Sequence, residues 1–488
     1  LSILNKKIER FLARRGAPDF KNHANGSQIL SLGGLNYPAK LSFLNYIKTS
    51  GRKILFVVTD ERSALAFEGD LKNLYGLDAA TLPCAQTQFY EDVPNNLYIY
   101  AEQLKALLGD SLDGCKRSSV LIAPVRALFE KFADEKFFED NFFELKKGEE
   151  YGYDSIKRKL SEFGYKSSVL VNDIGEFSLR GDILDVYTYA KLPVRVEFFG
   201  DSIEDVRYFD PQTQKSVESL ERVRILPLYK FLLGKNNVAE FEKHCAAGAR
   251  SELSAEICEK LNNSSYFEGI EYYAQFFNKN LVSLFSYFQN YVLIFDDKSQ
   301  IFSKLENLNE QYRTEFEATS GSEIKLPLKT FNHNAFEEIS SEAAKYTQMS
   351  FENFAANEEG IDFETNLMPN FSADIEKIAS YLKEQLKNGA KINICTNFKK
   401  RLEEILNEYE IFSPLIKIKP QIQSGGEFKD ILTGERTVVL TDKELFNQRQ
   451  KPVISSKYTQ NKQSAEYIES INDIKEGEYV VHNIHGIG

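Results

Sequence analysis

The chain has 488 residues, 42% of them hydrophobic and 27% charged, with 27 Gly and 13 Pro. That is the composition of folded protein, about three domains at roughly 150 residues each, and it excludes a collagen-like or largely disordered chain. Its 60 basic and 72 acidic residues leave a formal net charge of -12, which excludes a protein that grips DNA through bulk positive charge. Five scattered cysteines (Cys84, Cys115, Cys245, Cys258, Cys395) without a CxxC pair exclude a disulfide framework or zinc cluster, and a reducing, cytoplasmic setting is expected. The longest apolar runs, such as Ile54 to Val58, are strand-sized and far short of the ~18 residues that span a membrane, so no membrane association is expected.

The basic, amphipathic N-terminus, Leu1 to Gly16, has no signal-peptide core. With no initiator Met, and a strand pattern that stops at His485-Gly486-Ile487-Gly488, the chain is expected to be part of a longer protein. Ile29 to Leu32 predicts a short strand leading to Gly33-Gly34, and Pro38 opens a helix that stops near Gly51. Lys53 to Val58 predicts a buried strand, Glu61 to Leu74 an amphipathic helix and Ser119 to Ala123 a further strand. This alternation predicts a parallel sheet with helices on both faces, which Tyr291 to Phe295 rejoins after an insertion.

The insertion has a period of two. Val194, Val196 and Phe198 alternate with Arg195, Glu197 and Phe199, Gly200-Asp201 turns, Ile203, Val206 and Tyr208 follow, and Asp210-Pro211 turns again. This predicts an antiparallel β-rich domain over 146–227, between two halves of an α/β domain at 1–145 and 228–367. From Met368 to Phe446 a small α/β domain is expected: Ser372 capping a helix that ends at Gly389, a strand at Lys391 to Cys395, a helix at Phe398 to Tyr409 and a strand at Thr437 to Leu440. A basic, acid-free stretch from Asn447 predicts a linker over 447–470, and Glu478 to His482 begins a new strand within 471–488.

The turn Gly34-Leu35-Asn36-Tyr37-Pro38-Ala39-Lys40-Leu41 resembles the phosphate-binding pattern GxxxxGK[ST] but has Ala39 for the second glycine and Leu41 for the hydroxyl residue. The missing glycine blocks close approach of backbone amides to phosphate, and Leu41 has no oxygen to hold Mg²⁺. Asp296 and Asp297 stand where a magnesium-binding Asp-Glu pair would end its strand. Two readings compete: a nucleotide-binding fold that has lost its nucleotide, or a chance strand-to-helix turn. Under both, ATP hydrolysis by this chain is not expected and no catalytic residue is assigned. The histidines (His23, His244, His333, His482, His485) are dispersed, and no metal site is expected.

The stretch from Gly175 to Pro227 contains GEFSLRGDILDV and PVRVEFFGDSIEDVRYFDPQTQ, and in these it resembles the UvrB-homology module of the bacterial transcription-repair coupling factors (Mfd). Gly269-Ile270-Glu271-Tyr272-Tyr273 resembles a second segment of that family. Glu478 to His482, running on to Gly488, resembles the opening strand of its RNA-polymerase-interacting domain, an SH3/Tudor-like β-barrel. The resemblance implies a degenerate P-loop-like, UvrB-like domain, and recruitment of UvrA to stalled RNA polymerase. It also implies that DNA contact, ATP and Mg belong to translocase domains beyond this chain. UvrB itself, an ATP-dependent damage-recognition subunit, is the alternative, and Ala39 and Leu41 argue against it.

Carried over by motif position, the UvrA contacts are Arg180, Arg195 and Phe199. Alternation independently sends Arg195, Glu197 and Phe199 to one face of their strand, and arginine beside an exposed aromatic is the composition of a protein-binding hot spot. The competing reading is a surface Arg195–Glu197 ion pair with Phe199 tucked against an arginine stem.

Overall fold

The computed structural model describes residues 29–84, 97–109, 117–190, 192–233, 270–319, 336–354 and 360–448, together with positions 8, 239, 241, 259, 261, 266, 481–482 and 486–487. The expected linker beyond 448 lies outside these residues, as do Cys115, Cys245, Cys258, His23, His244, His333 and His485 and the stretch 85–96. The chain divides into two units, 1–452 and 453–488. In the second, Val481–His482 pairs antiparallel with Gly486–Ile487.

In chain order the first unit begins with β1 (Ile29–Gly33), α1 (Tyr37–Thr49), β2 (Ile54–Val58), α2 (Glu61–Tyr75), β3 (Ala79–Thr81), α3 (Leu97–Leu108) and β4 (Val120–Pro124). Next come β5 (Lys131–Ala133), α4 (Glu135–Asp140), β6 (Phe143–Lys146), α5 (Tyr153–Glu162), β7 (Lys166–Ser167), β8 (Glu176–Arg180) and β9 (Ile183–Val186). They are followed by β10 (Val194–Phe199), β11 (Ser202–Phe209), β12 (Ser216–Leu220), β13 (Arg222–Ile225), α6 (Ala274–Phe277), β14 (Leu281–Ser283) and β15 (Val292–Asp296). The unit continues with α7 (Lys298–Thr319), α8 (Phe336–Ala344), β16 (Gln348–Glu352), β17 (Ile361–Asp362), β18 (Thr365–Asn366), α9 (Ile375–Lys387) and β19 (Lys391–Cys395). It closes with α10 (Lys399–Glu408), β20 (Ile416–Lys419), β21 (Gly426–Lys429), β22 (Arg436–Thr441) and α11 (Asp442–Phe446).

Three sheets organise it. The first is a seven-stranded parallel sheet ordered β17-β1-β16-β15-β2-β4-β3. Its central strands are apolar without a break because both faces are covered; all five residues of β2 and of β4 are buried. One face packs through Ile54, Phe56 and Val58 against α1 and α2, the other through Leu55, Val57, Leu121 and Phe295.

The second sheet, β12-β11-β10-β9-β8-β7, is inserted between β4 and β15 and is antiparallel except for its β7–β8 edge. The chain enters and leaves it through β6 and β13, which pair with each other. Its inward residues Phe177, Leu184, Val186, Val194, Val196, Phe198, Ile203 and Val206 join the same core as the second face of the parallel sheet. The burial of β10 alternates as its sequence predicts, from Val194 to Phe199. Tyr208 departs from expectation: register shifts after Glu197 and Tyr208 add extra residues to the ladder, and Phe209 is the fully buried aromatic instead. Helix α5 was not foreseen; its Ile156 and Leu160, one turn apart, fix it to this core.

The third sheet, β18-β21-β22-β19-β20, forms a small α/β layer with α9 and α10. The cap of α9 is Asp374, whose carboxylate accepts from Lys377 N at 3.1 Å, and not Ser372, which lies at φ +49°. This layer also lends Cys395, Ile422, Phe428, Ile431 and Val439 to the core beneath α1 and α2.

Candidate functional site

Two regions hold the residues singled out from sequence. The first is the N-terminus of α1. Gly34 takes φ +73°, and a Cβ there would lie 2.6 Å from the Phe363 carbonyl oxygen, so only glycine fits. Three successive positions of this turn, Pro38 to Lys40, offer a phosphate no free amide. Asn36 Oδ1 accepts from Ala39 N at 3.1 Å, its carbonyl accepts from Lys40 N, and Pro38 has no N–H. Asn36 Nδ2 then donates to the carbonyls of Asn366 and Glu427, both at 3.0 Å, and Thr365 Oγ1 donates to Gly34 O. The small α/β layer is thereby laid across the helix end.

Lys40 Nζ is held by Asp296 Oδ1 at 2.5 Å. Asp297, at φ +67°, caps α7 by accepting from Gln300 N at 3.0 Å. Ala39 and Leu41 are buried in the core below. Further along the same seam Asp70 Oδ2 accepts from Tyr37 OH at 2.8 Å and from Gln423 N at 2.9 Å. Burial pushes the Asp70 carboxyl up to about 6, outweighing these two hydrogen bonds. Ser42 Oγ donates to Asp430 Oδ2 at 2.8 Å, and Asn73 Nδ2 to Gln421 O at 3.2 Å.

The second region is the outward face of the inserted sheet. Cross-strand register places Ser178, Asp185, Arg195, Arg207 and Ser219 in one row across β8 to β12, and Arg180, Ile183, Glu197 and Asp205 in the next. Arg195 forms a fork on the buried Asp185, Nε to Oδ1 at 2.6 Å and Nη2 to Oδ2 at 2.8 Å. Its Cζ lies over the Phe209 ring, 4.5 Å from the ring centroid. Hydrogen bonding to Asp185 raises the Arg195 pKa still further. Glu197 does not pair with Arg195; it accepts from Arg207, which also bonds Asp205 at 2.6 Å. Hydrogen bonding from Arg207 holds the Glu197 carboxyl below its usual range.

Phe199 closes β10 with 76% of its surface exposed. Arg180 closes β8, half exposed, with Nη2 on Asp185 Oδ2 at 3.1 Å. The turns that follow them, at Gly181 and Gly200, are neighbours, since Phe198 N donates to Asp182 O at 2.8 Å. Arg180 and Phe199 therefore flank one end of the sheet, while Arg195 lies two pleats inward. Asp185, Arg207, Phe209 and Gln214 escaped the sequence reading. Once strands β9 and β10 are paired, Asp185 falls opposite Arg195, and that pairing was the signal available.

The inserted region coincides with a known family. Residues 143–231 match the UvrB interaction domain, a span that starts at the first residue of β6 and ends shortly after β13. Over 99% of its length this chain is 24% identical to the transcription-repair-coupling factor of Bacillus subtilis, covering 43% of that protein. The chain is thus similar along nearly its whole length to a transcription-repair-coupling factor. The corresponding protein of Myxococcus xanthus is 36% identical over 37% of this chain and 16% of its own length. That of Haemophilus influenzae is 25% identical over 57% and 24%. The chain thus spans less than half the length of these relatives. Among the described residues no helix is long and apolar enough to cross a membrane.

Proposed function

We propose that this chain is the recruiting part of a transcription-repair-coupling factor: its inserted β-rich domain, 146–227, docks UvrA and so brings excision repair to stalled RNA polymerase. The residues on which docking depends are Arg180, Arg195 and Phe199. The observation that carries this reading is Phe199, a large aromatic left exposed beside a half-exposed arginine on an otherwise ion-paired sheet face. The 1–145 and 228–367 segments form a degenerate P-loop-like domain that acts as a scaffold. Its nucleotide site (Gly34, Ala39, Lys40, Leu41, Asp296, Asp297) binds no ATP, a reading supported by the engaged amides of Ala39 and Lys40 and the Lys40–Asp296 ion pair.

The 368–446 layer is a small α/β domain, 447–470 a linker, and 471–488 the start of an SH3/Tudor-like barrel that meets RNA polymerase. ATP and Mg serve the translocase of the parent protein, where DNA is also gripped, and the setting is cytoplasmic. The test is UvrA association by the purified chain and by its Arg180→Ala, Arg195→Ala and Phe199→Ala variants. Weakened binding by folded variants is expected; parent-like binding by all three would remove the assignment.

A further inference from the structure

The three residues of the proposed patch are held very differently. Arg195 commits four of its five N–H donors within the chain: Nε and Nη2 to Asp185, Nη2 again to Gln214 Oε1 at 3.1 Å, and Nη1 to Gln214 O at 3.3 Å. One face of its guanidinium is covered by Phe209, and its side chain is only 15% exposed. Among the described residues the Arg180 side chain makes a single hydrogen bond, to Asp185, and it is 50% exposed, so much of its fork faces solvent. Asp185, 1% exposed, accepts from both arginines and is the one group joining them.

We propose that Asp185 is the positioning residue of the docking patch, that Arg195 acts through it, and that Arg180 and Phe199 alone touch the partner. The inference rests on the docking reading above. The buried carboxylate, locked by the Arg195 fork and the Gln214 turn, pins Nη2 of Arg180 and so aims its free donors past the Gly181 turn, beside the exposed ring. Orienting a long side chain before contact lowers the ordering cost of association. A partner surface that fits offers carboxylates to one guanidinium and an apolar pocket to one phenyl ring. It does not need to offer a second carboxylate to Arg195.

The test is a double-mutant cycle on the full chain with purified UvrA, affinities read by calorimetry. Arg180→Ala and Phe199→Ala are each expected to weaken binding at least about 30-fold, the factor that corresponds to a hot-spot loss. Asp185→Asn should weaken it comparably, and adding it to Arg180→Ala should cost little more, because both remove one aimed guanidinium. Arg195→Lys supplies a second variant that keeps the charge but not the fork on Asp185; it should bind as poorly as Arg195→Ala. Losses from Asp185→Asn and Arg180→Ala that add in full, or Arg195→Lys binding within about twofold of the parent, would overturn the positioning role while leaving the docking patch standing. Parent-like binding by both Arg180→Ala and Phe199→Ala would instead overturn the docking reading, and this inference with it.

Discussion

Asp70 offers a quantitative check on the seam between α1, α2 and the small α/β layer. It is 4% exposed and its carboxyl is pushed up by burial from 3.8 to about 6. Between about pH 4 and 6 the folded protein therefore holds more protons than the unfolded chain, and stability falls as pH rises through that window. A displacement of about two pH units corresponds to about 3 kcal/mol of stability present at pH 4 and lost by pH 7. Asp70→Asn keeps a carbonyl oxygen able to accept from Tyr37 OH and Gln423 N but cannot ionise. The variant should thus gain on the parent as pH rises from 4 to 7. For a folded unit of roughly 400 residues the gain amounts to about 3–4 °C in melting temperature. Thermal unfolding followed by circular dichroism at pH 4, 5, 6 and 7 measures it. A parent-minus-variant difference that stays flat across this range, or changes in the opposite sense, would refute the reasoning.

Restoring the phosphate-loop residues with Ala39→Gly and Leu41→Ser should not restore nucleotide binding, since Asn36 still caps the amide at position 39, Pro38 still lacks one and Asp296 still holds Lys40. Calorimetry with Mg-ATP should give no saturable heat, while loss of the buried Leu41 side chain costs about 2–5 kcal/mol in unfolding experiments. Gly426→Ala places a Cβ 2.5 Å from Asn36 Nδ2 and 3.0 Å from Pro38 Cγ. It should destabilise the seam by about 1–3 kcal/mol, measured by denaturant titration.

What the sequence made legible follows from periodicity. The all-apolar runs at β2, β4 and β15 announced a sheet covered on both faces, and strict alternation in β10 placed Val194 inward and Arg195 outward with its neighbours correctly sorted. Short-range rules failed where a partner distant in sequence decides. Ser372 looked like a cap two residues before the carboxylate that performs the task. Helix α5 carries only two apolar anchors among charged residues, too few to stand out beside the β pattern that follows it. The competing reading pairs Arg195 along its own strand with Glu197, whereas the register of β9 delivers Asp185 from across the sheet. The tie between Asp70 and Gln423 joins positions 353 residues apart, and no local pattern encodes it.

The claim that this chain recruits UvrA through the exposed end of its inserted sheet is tested most directly by one measurement, UvrA affinity of the Phe199→Ala chain against the parent. Phe199 is largely solvated, so its truncation should leave the melting temperature unchanged. The account predicts a loss of about 2 kcal/mol or more in binding free energy, which is about 30-fold in affinity. An equally stable variant that binds UvrA as tightly as the parent would contradict it.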